Sequence, residues 1–462
     1  MSSFQTVSPI DGSVVYEAAL ATDADVDAAL ATAHQAQRGW RATPLGERIG
    51  LLSKLVDEVL EARSTIEPEL TAQMGRPSRY TGGELGGFEE RARYMLDVAP
   101  ASLEDIASSA KDGFRRFIRR EPLGVVLVLA PWNYPWLTSV NAVIPALAAG
   151  NTVLLGHSKQ TPLVAERFVE AGRRAGLPPG VFEYRHMTHA SVGKAVADPR
   201  VDFVAFTGSV EGGRTVHRAG ADRFIAMGLE LGGKDPAYVC DDAELEATVA
   251  GLVDGAYFNS GQSCCGIERI YVHQARYDDF VEGFAALTRE YVLDDPRKET
   301  TTLGPVVRVS SAEGIQAQMN AALSAGARGL LDSKSFGEHD LPYLAPQVLV
   351  DVTHDMAVMT EETFGPVVGI MKVQDDAEAI AHMNDSRYGL TASVWTADPE
   401  RALRIGEQVD TGTWFMNRCD YLDPELAWTG VKDSGRGCTL SRVGYEHLTR
   451  PKSFHLRLKP AG

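Results

Sequence analysis

Hydrophobic and polar positions in the first hundred residues recur with the period of a helix. Asp23–Trp40 begins with acidic residues and then places its apolar residues on one face, which predicts an amphipathic helix. Pro44–Arg63 repeats this pattern, and the glycine-dotted run Gly82–Tyr94 indicates the approach to another helix. These segments are typical of the helical cover over an α/β core.

From Gly124 onward, wholly apolar runs alternate with amphipathic runs. Apolar runs predict buried strands, and amphipathic runs predict helices. Strands are expected at 124–131, 151–156, 181–186, 201–208 and 224–230, and helices at 162–175, 191–197 and 212–219. After Pro236 the pattern restarts, with strands at 270–273, 345–350 and 367–372 and helices at 244–257, 275–291 and 311–325. The fold class is therefore α/β with two doubly wound, Rossmann-like domains, which bind ligands beyond the carboxyl ends of their strands.

Two further stretches alternate with the period of a strand that has one wet face. Residues 114–120 read FRRFIRR, and the tail at 447–459 contains SFHLRL. We expect these two strands to pair. The many exposed arginines suggest a small β arm used for oligomerisation, and a plain solvated edge strand is the alternative.

Composition and charge exclude several classes of protein. The chain has 45 Lys and Arg against 62 Asp and Glu, a formal charge of −17, which argues against nucleic acid or an anionic membrane as the main partner. Five cysteines without regular spacing form neither a disulfide framework nor a zinc site. We see no signal peptide and no run that could span a bilayer, and we therefore expect a cytoplasmic protein without a metal.

A small-residue turn with two adjacent thiols, FNSGQSCCGIER at 258–269, joins a predicted helix to a predicted strand. A cysteine at the end of such a turn faces a cleft, and a thiolate is the strongest common nucleophile. Cys264 is therefore a candidate nucleophile, and a buried structural cysteine is the alternative.

Two stretches at predicted strand ends offer polar groups that a thiol–carbonyl adduct requires. In PWNYP, 131–135, Asn133 supplies an amide donor for an oxyanion. In LELGGKDP, 229–236, Glu230 can act as a base on water. The alternatives are a proline-rich turn for Asn133 and a surface charge for Glu230.

Two other stretches suit a dinucleotide. FTGSVEGG, 206–213, places glycines and Ser209 at a helix start, where a phosphate binds well, although the spacing is not the dinucleotide fingerprint. In EETFGPVV, 361–368, Glu362 can hold a ribose hydroxyl pair. A glycine turn without a ligand and an ordinary helix-start glutamate are the alternatives.

The motifs PWNYP, GNTVLL, FTGS, LELGGKDP, GQSCCG, EETFGPV and VKDSGRG together resemble the aldehyde dehydrogenase superfamily over nearly the whole chain. The resemblance implies NAD(P)-dependent oxidation of a small-molecule aldehyde to a carboxylic acid, through a cysteine thiohemiacetal and thioester. It also implies a homodimer or homotetramer. The implied domains are a cofactor-binding domain at 1–103 and 123–233, a catalytic domain at 234–440, and an oligomerisation arm at 104–122 and 441–462.

The resemblance assigns roles residue by residue. Cys264 falls on the nucleophile, Glu230 on the base for the deacylating water, and Asn133 with the Cys264 backbone amide on the oxyanion hole. The implied cofactor contacts are Trp132, Lys159, Gly208, Ser209, Gly213, Leu231, Glu362 and Phe364. The implied substrate-pocket residues are Tyr134, Cys265, Arg418 and Trp428.

The chain departs from the family pattern at the adenosine end. The usual K-P-S-E reads Gly156-His157-Ser158-Lys159, and a later glycine is Met187. A lysine at the ribose attracts a 2′-phosphate that an acid would repel. The sequence therefore favours NADP over NAD, and a pocket with weakened cofactor binding is the alternative.

The C-terminal motifs depart as well. Cys438-Thr439 stands where the family often has Arg-Glu, so a glutamate sometimes proposed as a proton relay is absent. The usual P-F-G-G reads 427–430, in which Trp428 is expected to wall the aldehyde pocket or to be merely structural. Arg418 either pairs with a substrate carboxylate, as in a semialdehyde, or makes a surface salt bridge.

Two rival functions remain open from the sequence. A CoA-acylating semialdehyde dehydrogenase usually lacks the base glutamate, so Glu230 disfavours that reading. A catalytically silent binding or scaffold protein fits the altered adenosine pocket. The joint presence of Cys264, Glu230 and Asn133 disfavours it.

Overall fold

Two mainly parallel sheets form the framework of residues 2–458, the part of the chain that the computed structural model describes. In chain order the strands are β1 Ser3–Val7, β2 Val14–Ala19, β3 Ile106–Ala107, β4 Phe114–Pro122, β5 Val125–Ala130, β6 Thr152–His157, β7 Phe182–Tyr184, β8 Val201–Thr207, β9 Ala226–Glu230, β10 Asp235–Val239, β11 Ile267–His273, β12 Arg328–Gly329, β13 Gln347–Val350, β14 Val367–Val373, β15 Thr391–Trp395, β16 Thr413–Met416, β17 Gly435–Arg436 and β18 Thr449–Arg457.

Helices cover both faces of these sheets. They are α1 Asp23–Ala42, α2 Leu45–Glu61, α3 Arg63–Met74, α4 Ser78–Ser102, α5 Pro135–Ala148, α6 Pro162–Arg174, α7 His189–Ala197, α8 Val210–Ala219, α9 Leu245–Tyr257, α10 Tyr277–Thr288, α11 Val309–Ser324, α12 Ala357–Thr360, α13 Asp376–Asn384, α14 Pro399–Gly406 and α15 Gly444–His447. Within the described residues, none of them is both long and apolar enough to cross a membrane.

The first sheet has the strand order β17-β9-β8-β5-β6-β7, in which only β17 runs antiparallel. Its central strands are buried on both faces, as their unbroken apolar sequences predict. Strands β5, β8 and β9 are neighbours, and Thr207 lies in register with Glu230. The loops that begin at Pro131, Gly208 and Leu231 therefore leave the sheet at the same edge.

The second sheet has the order β12-β13-β14-β11-β10-β15-β16, with β12 antiparallel to its neighbour. The sequence did not predict β10 as a strand, because Pro236 reads as a break. The chain accommodates this proline at a register shift between Asp235 and Pro236, the kind of bulge where proline is tolerated within a sheet. The expectation of two doubly wound α/β units is confirmed, and the functional names given to the domain ranges stay predictions.

The third sheet, β18-β4-β3, forms the predicted arm. Strand β18 pairs antiparallel with β4 over its whole length, and the stacked rings of Phe117 and Phe454 lie 4.7 Å apart. The predicted pairing of the two alternating stretches is confirmed. The alternative of a solvated edge strand is wrong, because β4 is the middle strand. Residues 459–462 of the predicted arm lie outside the described part of the chain.

Candidate active site

The turn that carries Cys264 has an unusual backbone. Between α9 and β11, Asn259, Ser260 and Gly261 all have positive φ angles, of 53°, 57° and 69°. A Cβ atom at position 261 would lie 2.3 Å from the carbonyl oxygen of Gly365, so only glycine fits there. Non-glycine residues in this region store strain that the surroundings must offset, a feature common at functional sites.

Buried hydrogen bonds hold this turn in place. Gln262 Nε2 donates to the Asn259 carbonyl oxygen at 3.1 Å, and Gln262 Oε1 accepts from Val307 N at 2.8 Å. Arg76 Nε donates to Asn259 Oδ1 at 3.2 Å. Residues 259–263 are buried, whereas Cys264 itself is half-buried. The structure therefore presents this thiol at the end of a rigid turn, as the sequence predicted.

Asn133 reaches the same turn from the end of β5. Its Nδ2 donates to the Gln262 carbonyl oxygen at 3.2 Å, two residues before Cys264. An amide nitrogen carries two hydrogens, so one remains for a negative oxygen formed at the thiol. The loop of Asn133 is anchored in turn by Arg76 Nη2, which donates to the Asn133 carbonyl oxygen at 2.5 Å.

Cys265 plays a different part from its neighbour. Its thiol is buried and donates to Asp420 Oδ1 at 3.0 Å, and Ser263 Oγ donates to the same oxygen at 2.8 Å. The hydrogen bond with Cys264, burial and the charge of Asp420 hold the pKa of Cys265 well above its ordinary value. A raised pKa favours the protonated thiol at Cys265, and the role of Cys264 as the nucleophile of the pair stays a prediction.

Glu230 lies half-buried at the end of β9 between two threonine hydroxyls. Thr207 Oγ1 donates to Glu230 Oε2 at 3.0 Å, and Thr439 Oγ1 donates to Oε1 at 2.6 Å. Burial raises the pKa of this carboxyl above its usual range, although both hydrogen bonds act in the opposite direction. A raised pKa makes a carboxylate a stronger base, which suits the predicted role of Glu230 in removing a proton from water.

Thr439, which departs from the family pattern, contacts both Trp428 and Glu230. Thr439 and Trp428 exchange two backbone hydrogen bonds of 2.9 Å, and the buried Trp428 fixes Thr439 beside Glu230. A cavity of about 30 Å³ behind Glu230 extends to Cys438, Thr439 and the exposed His447. It is large enough to hold a water molecule. Thr439 and this cavity thus occupy the place where the family often has a glutamate.

The predicted ribose ligand lies close to both the base strand and the thiol turn. Gly233 N donates to Glu362 Oε1 at 3.1 Å, and a Cβ atom at Gly232 would lie 2.4 Å from the same oxygen. A Cβ atom at Gly233 would lie 2.5 Å from the Cys264 carbonyl oxygen. The glycine pair that follows Glu230 therefore lets Glu362 and Cys264 approach the same segment of backbone.

Two predicted cofactor contacts, Trp132 and Phe364, meet edge to face with ring centroids 5.8 Å apart. Ser209 caps helix α8, because its hydroxyl accepts from Gly212 N at 3.2 Å. Leu231 packs on this helix, since a Cβ atom at Gly213 would lie 2.6 Å from its Cδ2. Gly208 precedes the capping residue directly. Helix capping accounts for a serine at position 209 even without a ligand. The contact of Ser209 with a phosphate stays a prediction.

Two of the departures at the adenosine end, Gly156 and Met187, are physically linked. A Cβ atom at Gly156 would lie 2.6 Å from the Cε of Met187, so the methionine occupies the space beside the glycine. His157 is buried, and burial lowers its pKa to about 4. Lys159 is half-buried, and its carbonyl oxygen accepts from Thr6 Oγ1 at 2.7 Å.

The predicted substrate residues divide between the interior and the surface. The hydroxyl of Tyr134 is buried and has no hydrogen-bond partner among residues 2–458, and the Arg76 guanidinium lies 4.6 Å from its ring centroid. Arg418 is exposed and stacks on Tyr421 at 3.5 Å, on the edge of a surface groove. A cation–π contact therefore takes the place of the salt bridge considered for Arg418, and its role toward substrate stays a prediction.

Sequence reasoning missed one charged residue near the thiols. Arg91, on α4, is 8% exposed, and its Nη1 donates to the Leu137 carbonyl oxygen at 3.0 Å and to Asn141 Oδ1 at 3.3 Å. Both acceptors are uncharged, and carboxylates including Glu230 act on Arg91 only at longer range. The pattern of α4 gave one signal, an arginine on the buried face of an amphipathic helix.

Comparison with known proteins matches this fold and site to one family. The model of the aldehyde dehydrogenase family matches residues 1–454. The chain therefore belongs to the aldehyde dehydrogenase family, whose members are oxidoreductases acting on aldehydes.

Individual relatives agree. A succinate-semialdehyde dehydrogenase (NADP+) from Deinococcus radiodurans is 34% identical over 461 residues, covering 99% of this chain and 96% of the relative. A similarly named protein from Mycobacterium avium is 32% identical and covers 99% of this chain and 97% of the relative.

Solved structures give the same result. An NAD-dependent aldehyde dehydrogenase from Sinorhizobium meliloti has a TM-score of 0.95 at 34% identity, covering 100% of this chain and 93% of that one. An NADP-dependent glyceraldehyde-3-phosphate dehydrogenase from Bacillus halodurans, complexed with NADP, has a TM-score of 0.93 at 32% identity, covering 99% and 96%. The predicted family, fold class and dependence on a nicotinamide dinucleotide are confirmed.

Proposed function

We propose that this aldehyde dehydrogenase oxidises its substrate to a carboxylic acid through a thioester on Cys264. The hydrogen bond of 3.2 Å from Asn133 Nδ2 to the Gln262 carbonyl oxygen gives the main support for this function. It links a predicted oxyanion donor to the strained turn that carries the half-buried thiol, and Glu230 ends β9 in the same sheet as β5.

The residues at the strand ends fit a nicotinamide dinucleotide. Gly232 and Gly233 have no side chains, so the backbone can lie directly against Glu362. The carboxylate of Glu362 suits a pair of ribose hydroxyls. Trp132 and Phe364 would flank the nicotinamide end, and the first turn of α8 would face the pyrophosphate.

The chemistry of the first half-reaction follows from Cys264 and Asn133. The thiolate form of Cys264 adds to the aldehyde carbon, and the resulting oxyanion of the thiohemiacetal is stabilised by Asn133 and the Cys264 amide. The bound cofactor supplies a hydride acceptor. Loss of hydride from the thiohemiacetal leaves an acyl thioester on Cys264.

Glu230 carries the second half-reaction. Its carboxylate takes a proton from water, the hydroxide attacks the thioester, and Cys264 leaves as a thiolate with release of the acid. The two threonine hydroxyls orient the carboxylate. A base held in this way supports hydrolysis over transfer of the acyl group to CoA, the rival hypothesis from the sequence.

A product analysis tests this function. The purified chain, incubated with an aldehyde panel and either NAD+ or NADP+, is expected to form acid and reduced cofactor in equal amounts. Free CoA in the assay should not divert the acyl group. Formation of acyl-CoA in place of acid, or no turnover with any aldehyde, would contradict the proposal.

Lys159 supports a preference for NADP. Its ammonium group can pair with a 2′-phosphate, and the relatives from D. radiodurans and M. avium are named as NADP enzymes. We expect a higher kcat/KM with NADP+ than with NAD+. Lys159→Glu should lower the ratio of kcat/KM for NADP+ to that for NAD+ about 10- to 100-fold, since a hydrogen bond to a charged group contributes about 1.5–3 kcal/mol. Steady-state kinetics with both cofactors checks it. A wild-type preference for NAD+ would remove this assignment.

The substrate is proposed to be a semialdehyde that carries a carboxylate. Both named relatives are succinate-semialdehyde dehydrogenases. Arg91 offers a buried guanidinium bonded only to neutral acceptors, near Cys265 and Glu230. A buried cation of this kind favours an anionic group close by. Arg91 is therefore a stronger candidate for the carboxylate contact than the exposed Arg418.

Arg91→Met tests this contact. The ratio of kcat/KM for succinate semialdehyde to that for butanal is expected to fall about 10- to 100-fold, because only the semialdehyde loses a charged hydrogen bond. The ratio cancels any effect that Arg91 exerts through Glu230. Arg418→Met is the matched control and should leave the ratio within about threefold of wild type. An unchanged ratio in Arg91→Met would exclude Arg91 as the carboxylate ligand.

A further inference from the structure

A buried ion pair lies behind the loop that carries Glu362. Lys234 Nζ donates to Glu268 Oε2 at 2.6 Å, and the two side chains are 0% and 5% exposed. The pair joins the segment after Glu230 to strand β11, which follows the thiol turn. Removing two charges from water is unfavourable unless further hydrogen bonds compensate them. The further hydrogen bonds of Lys234 and Glu268 therefore identify the segment that the ion pair stabilises.

Those contacts go to the backbone of the Glu362 loop. Thr363 N donates to Glu268 Oε2 at 2.7 Å, and Phe364 N donates to Oε1 at 2.8 Å. Lys234 Nζ also donates to Thr363 Oγ1 at 2.9 Å. Phe364 has a φ of 51°, which a bulky residue adopts only where its surroundings impose it. Glu268 thus fixes two consecutive amides immediately after Glu362.

The same arrangement determines where the Glu362 carboxylate lies. Gly233 N donates to its Oε1 at 3.1 Å, and the backbone of Gly232 lies directly against it. The carboxylate is therefore held from one side by the glycine pair and from the other by the loop that Glu268 anchors.

Several charged and titratable groups face Glu362. Burial raises the pKa of Glu362 to about 7, and the negative charge of Glu268 acts in the same direction. The Gly233 amide, Lys234 and Arg387 act in the opposite direction, and the phenol of Tyr388 also lies nearby. Glu362 thus titrates where small changes in neighbouring charge alter its ionised fraction.

We propose that Glu268 is a positioning residue for the cofactor. Its carboxylate, paired with Lys234, holds Glu362 in place and makes NAD+ binding strengthen as pH rises through neutrality. The inference rests on the proposed function, in which Glu362 accepts from the ribose hydroxyls. An ionised carboxylate accepts both hydroxyls, whereas a protonated one loses part of its acceptor capacity. Binding therefore weakens as pH falls and Glu362 gains its proton.

Calorimetric titration of the full chain with NAD+ between pH 5.5 and 8.5 tests the proposal. NAD+ is used because the 2′-phosphate of NADP+, like other phosphate monoesters, titrates near pH 6. Wild-type affinity is expected to be about tenfold weaker at pH 6 than at pH 8.5. In Glu268→Gln the midpoint should move about one pH unit lower, because a negative neighbour is lost and Lys234 then acts on Glu362 alone.

Three further variants make the outcome decisive. Glu361→Gln removes the same charge from an exposed neighbour that pairs with Arg387 at 3.7 Å, and it should move the midpoint by less than about 0.3 units. Glu362→Gln should abolish the pH dependence. The double variant Lys234→Met with Glu268→Gln, which leaves no unpaired buried charge, should give a midpoint between wild type and Glu268→Gln, and it serves if the single variant does not fold.

A purely structural role for Glu268 would weaken binding equally at every pH without moving the midpoint, and this result would overturn the proposal. A flat wild-type profile, or an equal shift in Glu361→Gln, would do the same. Failure of the proposed function would be visible separately, as a wild-type chain that makes no acid from any aldehyde.

Discussion

Replacing Cys264 by serine is expected to lower the rate of aldehyde oxidation by at least about 1,000-fold. A serine hydroxyl keeps the size of the group but is far less acidic than a thiol, so it supplies almost no nucleophile at neutral pH. Cys264 is half-buried on a turn held by other side chains, and the fold should therefore be retained. Stopped-flow measurement of reduced cofactor should show neither a burst nor steady turnover.

The matched control for this variant is Cys240→Ser, which makes the same change at a buried thiol after β10. It should keep a full burst of reduced cofactor, and both variants should bind NAD(P)+ as wild type does. Loss of the burst in Cys265→Ser, with the burst retained in Cys264→Ser, would reverse the assignment of the two thiols.

Replacing Glu230 by glutamine is expected to separate the two half-reactions. The first turnover should still release about one equivalent of reduced cofactor per site, and the steady-state rate should fall about 10²- to 10⁴-fold, the usual contribution of a general base. Thr207 and Thr439 can rotate their hydroxyls to bond the new amide, so the geometry of the strand end should persist. Rapid-quench measurement of cofactor reduction and acid release, on the same samples, distinguishes the two steps.

Glu282→Gln, which changes an exposed carboxyl on α10, provides the control for loss of one acidic group. It should leave acid release unchanged. If Glu230→Gln released acid at the wild-type rate, Glu230 would not be the base. If it lost the first turnover as well, its role would lie before the thioester.

The strand ends were predictable because their signals are local. Asn133, Ser209 and Glu230 each follow an apolar run, and parallel strands bring such positions to one edge. The thiol turn was equally visible as small residues around Cys264. These features depend on residues close together in the chain, and the structure keeps them in their predicted places. The catalytic roles came from the family resemblance.

The contacts that tune the site were not predictable, because they join distant parts of the chain. Thr439 lies 209 positions from Glu230, and Asp420 lies 155 positions from Cys265. Neither a threonine after S-G-R-G nor an aspartate in a loop has a distinctive pattern. The partnership of Lys234 and Glu268 is likewise fixed only when the strand β11 lies beside β10.

Two further differences from the sequence-based expectations concern secondary structure before residue 103. The N-terminal hairpin β1–β2 was missed because its strands are short and mostly exposed, without a buried face to produce a clear alternation. The run Gly82–Tyr94 lies inside the 25-residue helix α4, since packing against α5 outweighs the low helix propensity of its glycines.

The central claim is that the Cys264 sulfur carries the acyl group, and peptide mass spectrometry of the acid-quenched Glu230→Gln variant tests it most directly. During the burst with succinate semialdehyde and NADP+, the peptide containing residues 264 and 265 should gain the mass of one succinyl group, and fragmentation should place it on Cys264. An unmodified peptide despite a full burst, or an acyl group on Cys265, would contradict the account.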